Sequence, residues 1–160
     1  MSDKRLKTNF CELTGVKYPI VQTGMGWVAG PSLVIATCKA GALGILAAAT
    51  LTFEEMVKAI EEIRKNTDNP FGVNLRTDAF DIESRIEHLI DSHVPVASFA
   101  QAPTQRIVER LKEADVIVIP TVGAARHAEK VAELGVDAVI AQGSEAVSYT
   151  HLTLPTKRIV

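Results

Sequence analysis

Short apolar runs rich in β-branched residues alternate along the chain with stretches whose apolar positions recur every three or four residues. The first pattern fits a strand and the second an amphipathic helix. The strand-like runs fall at residues 20–23, 43–48, 71–76, 94–100, 116–122 and 138–142, and the helical stretches between them at 31–40, 52–65, 82–92, 104–114 and 124–133. Strand and helix taking turns in this way predict an α/β fold in which a parallel sheet is covered by helices.

The helix ends are readable. Thr52 followed by Glu55 spells a capping box, and Gly41 and Gly135 stand where a helix commonly ends on a left-handed residue. Within 52–65, Met56, Ala59, Ile60 and Ile63 share one face and Glu54, Glu61, Glu62 and Lys65 the other, as expected of a helix lying on a sheet. Compact spacing from strand to strand predicts a TIM-type (β/α) barrel, incomplete at about six of its eight units. The competing doubly wound sheet calls for a GxGxxG turn after the first strand. Gly24-Met25-Gly26-Trp27 lacks the third glycine, and no acidic residue closes the second strand.

Composition narrows the picture. With 160 residues, 47% of them hydrophobic, and a formal net charge of −2, the chain fits one globular domain. Basic and acidic residues are interspersed, so neither nucleic acid nor a membrane surface is an expected partner. The first seven residues are polar and no signal-peptide core follows them. Two cysteines are too few for a disulfide framework, which points to a cytoplasmic location, and the four histidines lack metal-ligand spacing, so no metal site is expected.

Ligands of parallel α/β folds bind where the strands end. After the first run, Gln22-Thr23-Gly24-Met25-Gly26 joins an amide to two glycines that let backbone approach a flat ligand. In the third run Phe71, Val73 and Leu75 alternate with Gly72, Asn74 and Arg76. If the apolar set meets the helices, Asn74 faces the barrel axis, where its amide can donate and accept. The sixth run ends on Gln142 and Gly143. These clusters are expected to converge at the barrel mouth around a planar, hydrogen-bonding cofactor and a small-molecule substrate.

The segments Tyr18-Pro19-Ile20-Val21-Gln22-Thr23-Gly24-Met25-Gly26, Gly41-Ala42-Leu43-Gly44-Ile45-Leu46-Ala47, Phe71-Gly72-Val73-Asn74-Leu75 and Gly135-Val136-Asp137-Ala138-Val139-Ile140-Ala141-Gln142-Gly143-Ser144-Glu145-Ala146 resemble the nitronate monooxygenase (2-nitropropane dioxygenase) family. The resemblance implies an FMN-dependent barrel that oxidises alkyl nitronates with oxygen to a carbonyl compound and nitrite. It implies that Gly24, Met25 and Gly26 lie against the flavin, with Gln22 in the same cluster, and that Asn74 and Gln142 hydrogen-bond to it. Flavin-dependent enoyl-acyl-carrier-protein reductases share these positions, so the cofactor is better specified than the substrate. A non-enzymatic half-barrel that pairs its edges with another subunit is the alternative outside enzymes.

After Glu145-Ala146 the family continues with two glycines and a histidine, whereas this chain has Val147-Ser148-Tyr149, and His151 falls two residues late. The catalytic residue is therefore unassigned. The expected organisation is residues 1–146 as the N-terminal portion of an FMN-binding barrel and 147–160 as a tail foreign to the family. The family's phosphate-binding glycines lie further on, so the chain is expected to bind FMN weakly or not at all and to leave nitronates unoxidised.

Overall fold

A computed structural model describes residues 6–143 of the chain. Its elements are α1 (Asn9–Thr14), β1 (Val21–Gln22), α2 (Pro31–Lys39), β2 (Leu43–Ala47), a 3-10 turn (Ala48–Thr50), α3 (Phe53–Asn66), β3 (Phe71–Leu75), α4 (Ile82–Asp91), β4 (Val96–Phe99), α5 (Gln105–Glu113), β5 (Ile117–Val122), α6 (Ala125–Ala132) and β6 (Ile140–Ala141). All strand pairs are parallel, and their order in space is their order in sequence. A doubly wound sheet would reverse that order partway across. The strands and helices form six units of an incomplete (β/α) barrel.

Two apolar layers give the sheet its sidedness. On the outside, Leu46, Val73, Leu75, Ala97, Phe99 and Val118 pack with Met56, Ile60, Ile63, Ile86, Leu89 and Leu111 of the helices. On the axis side, Leu43, Ile45, Val96 and Ile119 pack with Cys11 and Val16. Residues alternate between the layers, so β2, β3 and β4 are buried along their whole length. Helix α1, which the sequence pattern did not announce, has only six residues and ends on Gly15 at φ 74°. It seats Phe10 and Cys11 against the axial cluster beside Leu43 and Val96, the first residues of β2 and β4.

The edge strands are shorter than expected. β1 has two paired residues, with Ile20 60% exposed. β6 is also two residues long, because Asp137 takes the place of a ladder partner: its Oδ2 accepts from Val118 N–H at 2.8 Å while its own N–H donates to Val118 O at 3.1 Å. The expected left-handed residues hold, with Gly41 at φ 91° and Gly135 at φ 82°. The Thr52–Glu55 capping box is formed in both directions, at 3.2 and 2.8 Å. Residues 144–160, including the 147–160 segment expected to be foreign to the family, lie outside the described residues.

Helix α2 crosses β2 at Gly44, where a methyl group would stand 2.8 Å from Val34 O and 3.0 Å from its Cα. The missing side chain lets the helix sit directly on the strand. Gly44→Ala is expected to force α2 outward and cost about 1–3 kcal/mol. Urea unfolding checks this, with a lowered midpoint expected at unchanged slope.

Candidate functional site

The site is built at the strand C-termini, starting from Asn74. The ladder pairs Asn74 with Ala47 on one side and Ser98 on the other, all on the axis face. Asn74 is 8% exposed and Ser98 fully buried, and Asn74 Nδ2 donates to Ser98 Oγ at 3.2 Å. That bond orients the amide and leaves its carbonyl oxygen available to a ligand.

The loop after β1 folds over this amide. A Cβ at Gly24 would lie 2.5 Å from Asn74 Cβ and 2.9 Å from its Cγ, a space that only glycine can occupy. A Cβ at Gly26 would lie 3.1 Å from Thr50 Cγ2, in the 3-10 turn after β2. Neither glycine has positive φ; close approach requires Gly24, and at Gly26 an added methyl would make Thr50 give way by a few tenths of an ångström. The left-handed residue of the turn is Trp27, at φ 59° and 92% exposed. Met25 O accepts from Val28 and Ala29 N–H at 3.1 and 2.8 Å, and Ala29 O accepts from Ala47 N–H at 3.0 Å, tying the loop to the end of β2.

Gln142 follows β6, and its N–H donates to Val122 O at 2.9 Å, continuing the ladder. Alternation from Ile140, which packs on the axial cluster, carries Gln142 to the same face as Asn74. Gln22 differs. The ladder sets Val21 beside Leu43 on the axis and Gln22 beside Gly44 on the helix side. Its Nε2 donates to Thr23 O and, at 3.2 Å, to Ile45 O, while Oε1 is buried with no partner among the described residues. The strand ends thus bring Asn74 and Gly24 into contact and set Gln142 on their face, but Gln22 is not brought to them. Arg76, expected on the axis face with Asn74, lies beyond β3 and pairs with Asp78 in solvent at 2.7 Å.

Besides Ser98, a buried charge escaped the sequence reading. Arg85 of α4 is 6% exposed. Its Nε donates to Asp81 Oδ1 at 2.8 Å, one terminal nitrogen to Ala48 O at 3.0 Å and the other to Leu51 O at 2.8 Å. Its signal was an arginine between Ile82, Ile86 and Leu89 on the apolar face of a helix. Arg85 lines a cleft of about 900 Å3 with Thr50, Thr52, Phe53, Arg76 and Phe80. The hydrogen bond from Arg85, followed by its charge, holds the Asp81 carboxyl below the usual carboxylate range against an opposing desolvation. Among the described residues no group of three or more His, Cys, Asp or Glu is placed to hold a metal ion, and no helix is long and apolar enough to cross a membrane.

An oriented amide on the barrel axis under a glycine turn, at the C-terminal end of parallel strands, lies at the end where (β/α) barrels bind their ligands. The nitronate monooxygenase family profile matches residues 7–83 and 77–151, and the chain belongs to that family. The chain is similar to two curated proteins called (3aS,4S,5R,7aS)-5-hydroxy-7a-methyl-1-oxo-octahydro-1H-indene-4-carboxyl-CoA dehydrogenase. The one from Mycobacterium tuberculosis is 56% identical over 146 residues and the one from Rhodococcus jostii 57% over 145, each alignment covering 91% of this chain and 41% of the relative. A probable nitronate monooxygenase of Staphylococcus saprophyticus is 30% identical over 89% of this chain and 50% of its own length. The chain thus spans about two-fifths to half the length of these relatives. Among solved structures, FabK from Thermotoga maritima is similar with a TM-score of 0.83 and 35% identity, over 87% of this chain and 45% of its own. A nitroalkane oxidase from Streptomyces ansochromogenes gives 0.79 and 31%, over 87% and 49%.

The Asp81–Arg85 pair predicts a defined acid sensitivity. Because the folded carboxyl is held below its unfolded value, the stability it supplies is complete above about pH 4 and drains as pH falls through the lowered folded value. Urea unfolding of the native chain and of Asp81→Asn between pH 3 and pH 6 checks this. The native chain should be the more stable near pH 6, and the difference should shrink toward pH 3.

Proposed function

We propose that this segment is the flavin-cradling half of an oxidoreductase that dehydrogenates a ring-bearing CoA thioester. The observation that carries the substrate class is the 56–57% identity to the two CoA-thioester dehydrogenases, against 30% to the staphylococcal nitronate monooxygenase. Family membership suggests a flavin, and the residue chemistry fits a flat heterocycle. Close backbone approach at Gly24 and Gly26 leaves a smooth wall, and Asn74 offers an oriented amide beside it.

In this reading FMN lies against Gly24, Met25 and Gly26, with Asn74 and Gln142 as its hydrogen-bonding partners. Gln22 holds the turn from behind through Ile45 O. When bound, the flavin supplies the two-electron acceptance that a dehydrogenation requires. The chain's own part is to exclude water through the buried Asn74–Ser98 pair and to fix the orientation of the ligand. The positions that take the family's glycines and histidine fall at 147–149, outside the described residues.

Nitronate oxidation is the second reading, favoured by the family match and by the nitroalkane oxidase likeness. Joining residues 1–146 to the remaining barrel of the Mycobacterium tuberculosis relative gives a chain on which the two can be compared. Turnover of the hydroxyindane carboxyl-CoA thioester with bleaching of the flavin band is expected, without nitrite release from propyl-2-nitronate. Nitrite release with no thioester turnover would reverse the assignment.

A further inference from the structure

We infer that Arg85 is a positioning residue for the flavin site, acting through the 3-10 turn that follows β2. This rests on the flavin reading given above. The turn Ala48–Thr50 is held from two directions. On the site side, Thr50 Cγ2 abuts the place where Gly26 lacks a side chain, and Ala47, just before the turn, donates its N–H to Ala29 O of the same loop. On the far side, α4 sends a single buried guanidinium to the carbonyls of Ala48 and Leu51 at the two ends of the turn, with Asp81 bonded to its third edge.

The geometry suits only a guanidinium. Three oxygen acceptors lie around one planar fork, with Met56 Sδ 3.8 Å from one of its nitrogens, and the lysine ammonium, a point charge on a flexible stem, cannot meet all three oxygens in their fixed directions. Charge alone therefore does not account for the residue; its shape holds the turn. Without that hold, the Leu51 carbonyl and the Asp81 carboxylate lose the guanidinium donor, the Ala48 carbonyl keeps only Leu51 N–H at 3.2 Å, and the turn shifts or opens. Thr50 and Ala47 move with it, and the loop carrying Gly24, Met25 and Gly26 loses its floor. Arg85 touches no ligand in this arrangement and sets the site at one remove.

Arg85→Lys and Arg85→Met in the full chain test this, with FMN titrated by fluorescence quenching and amide hydrogen exchange followed by residue. Both variants are expected to weaken FMN binding about tenfold and to speed exchange at residues 24–30 and 48–51, while β4 and α5 keep their protection. Failure of lysine to rescue separates shape from charge. Unchanged exchange and affinity in folded variants would overturn the inference. If the variants lose structure throughout, Thr50→Ser decides: removing the methyl that abuts Gly26 should cost about threefold in FMN affinity with the fold intact, and no change there overturns the inference. Should the parent chain show no FMN binding, the affinity comparison is made on residues 1–146 joined to the remaining barrel, where absence of flavin would overturn the flavin reading, while the exchange data still decide whether Arg85 holds the loop.

Discussion

Asn74 can face the barrel axis only because Val73 and Leu75 face the helices. Both are fully buried in the outer layer, and a one-residue slip of β3 would bring Asn74 among Met56, Ile60 and Ile86 while turning both apolar side chains to the axis. Burial of each such side chain stabilises by about 1.5–3 kcal/mol, so the register is strongly held. The amide's direction, its bond to Ser98 and the glycine that must pass over it follow from that one alternation.

The same alternation explains what was legible in the sequence. Helix α3 could be read to within one residue at each end because one helical stripe and one capping box coincide at Thr52 to Ile63. The buried central strands were legible as apolar runs, and Asn74 stood out as a polar interruption with period-two neighbours. Gln22 could not be placed by that logic, because a strand of two paired residues has too little alternation to show which side its amide takes. Helix α1 has one turn and a half and no periodic stripe to display. Ser98 lay inside an apolar run as an ordinary small residue, and Arg85 resembled one more charge on a helix until its two carbonyl acceptors, contributed by the distant turn after β2, were in view.

Glycines at this mouth serve proximity more than flexibility. Neither Gly24 nor Gly26 has a positive φ; Asn74 leaves no room for a methyl group at Gly24, and Thr50 would be crowded by one at Gly26. The left-handed conformation is carried by Trp27, whose exposed ring stands at the outer end of the same turn. A floor made this way is smooth and narrow, which suits a planar ligand. Relatives aligned over these same strands carry names of different reactions. Shared architecture at the cofactor level and divergence at the substrate level are what a barrel with separately varying loops permits.

The most direct measurement is a nitrogen-15 NMR spectrum of the chain, with backbone and side-chain amides assigned, recorded as FMN is added to millimolar concentration. Even weak binding moves resonances in such an experiment. The account predicts that the Asn74 side-chain amide and the backbone amides of Gly24, Met25 and Gly26 shift together along one binding curve. Shifts confined to other surfaces, or none at those four residues, would contradict it.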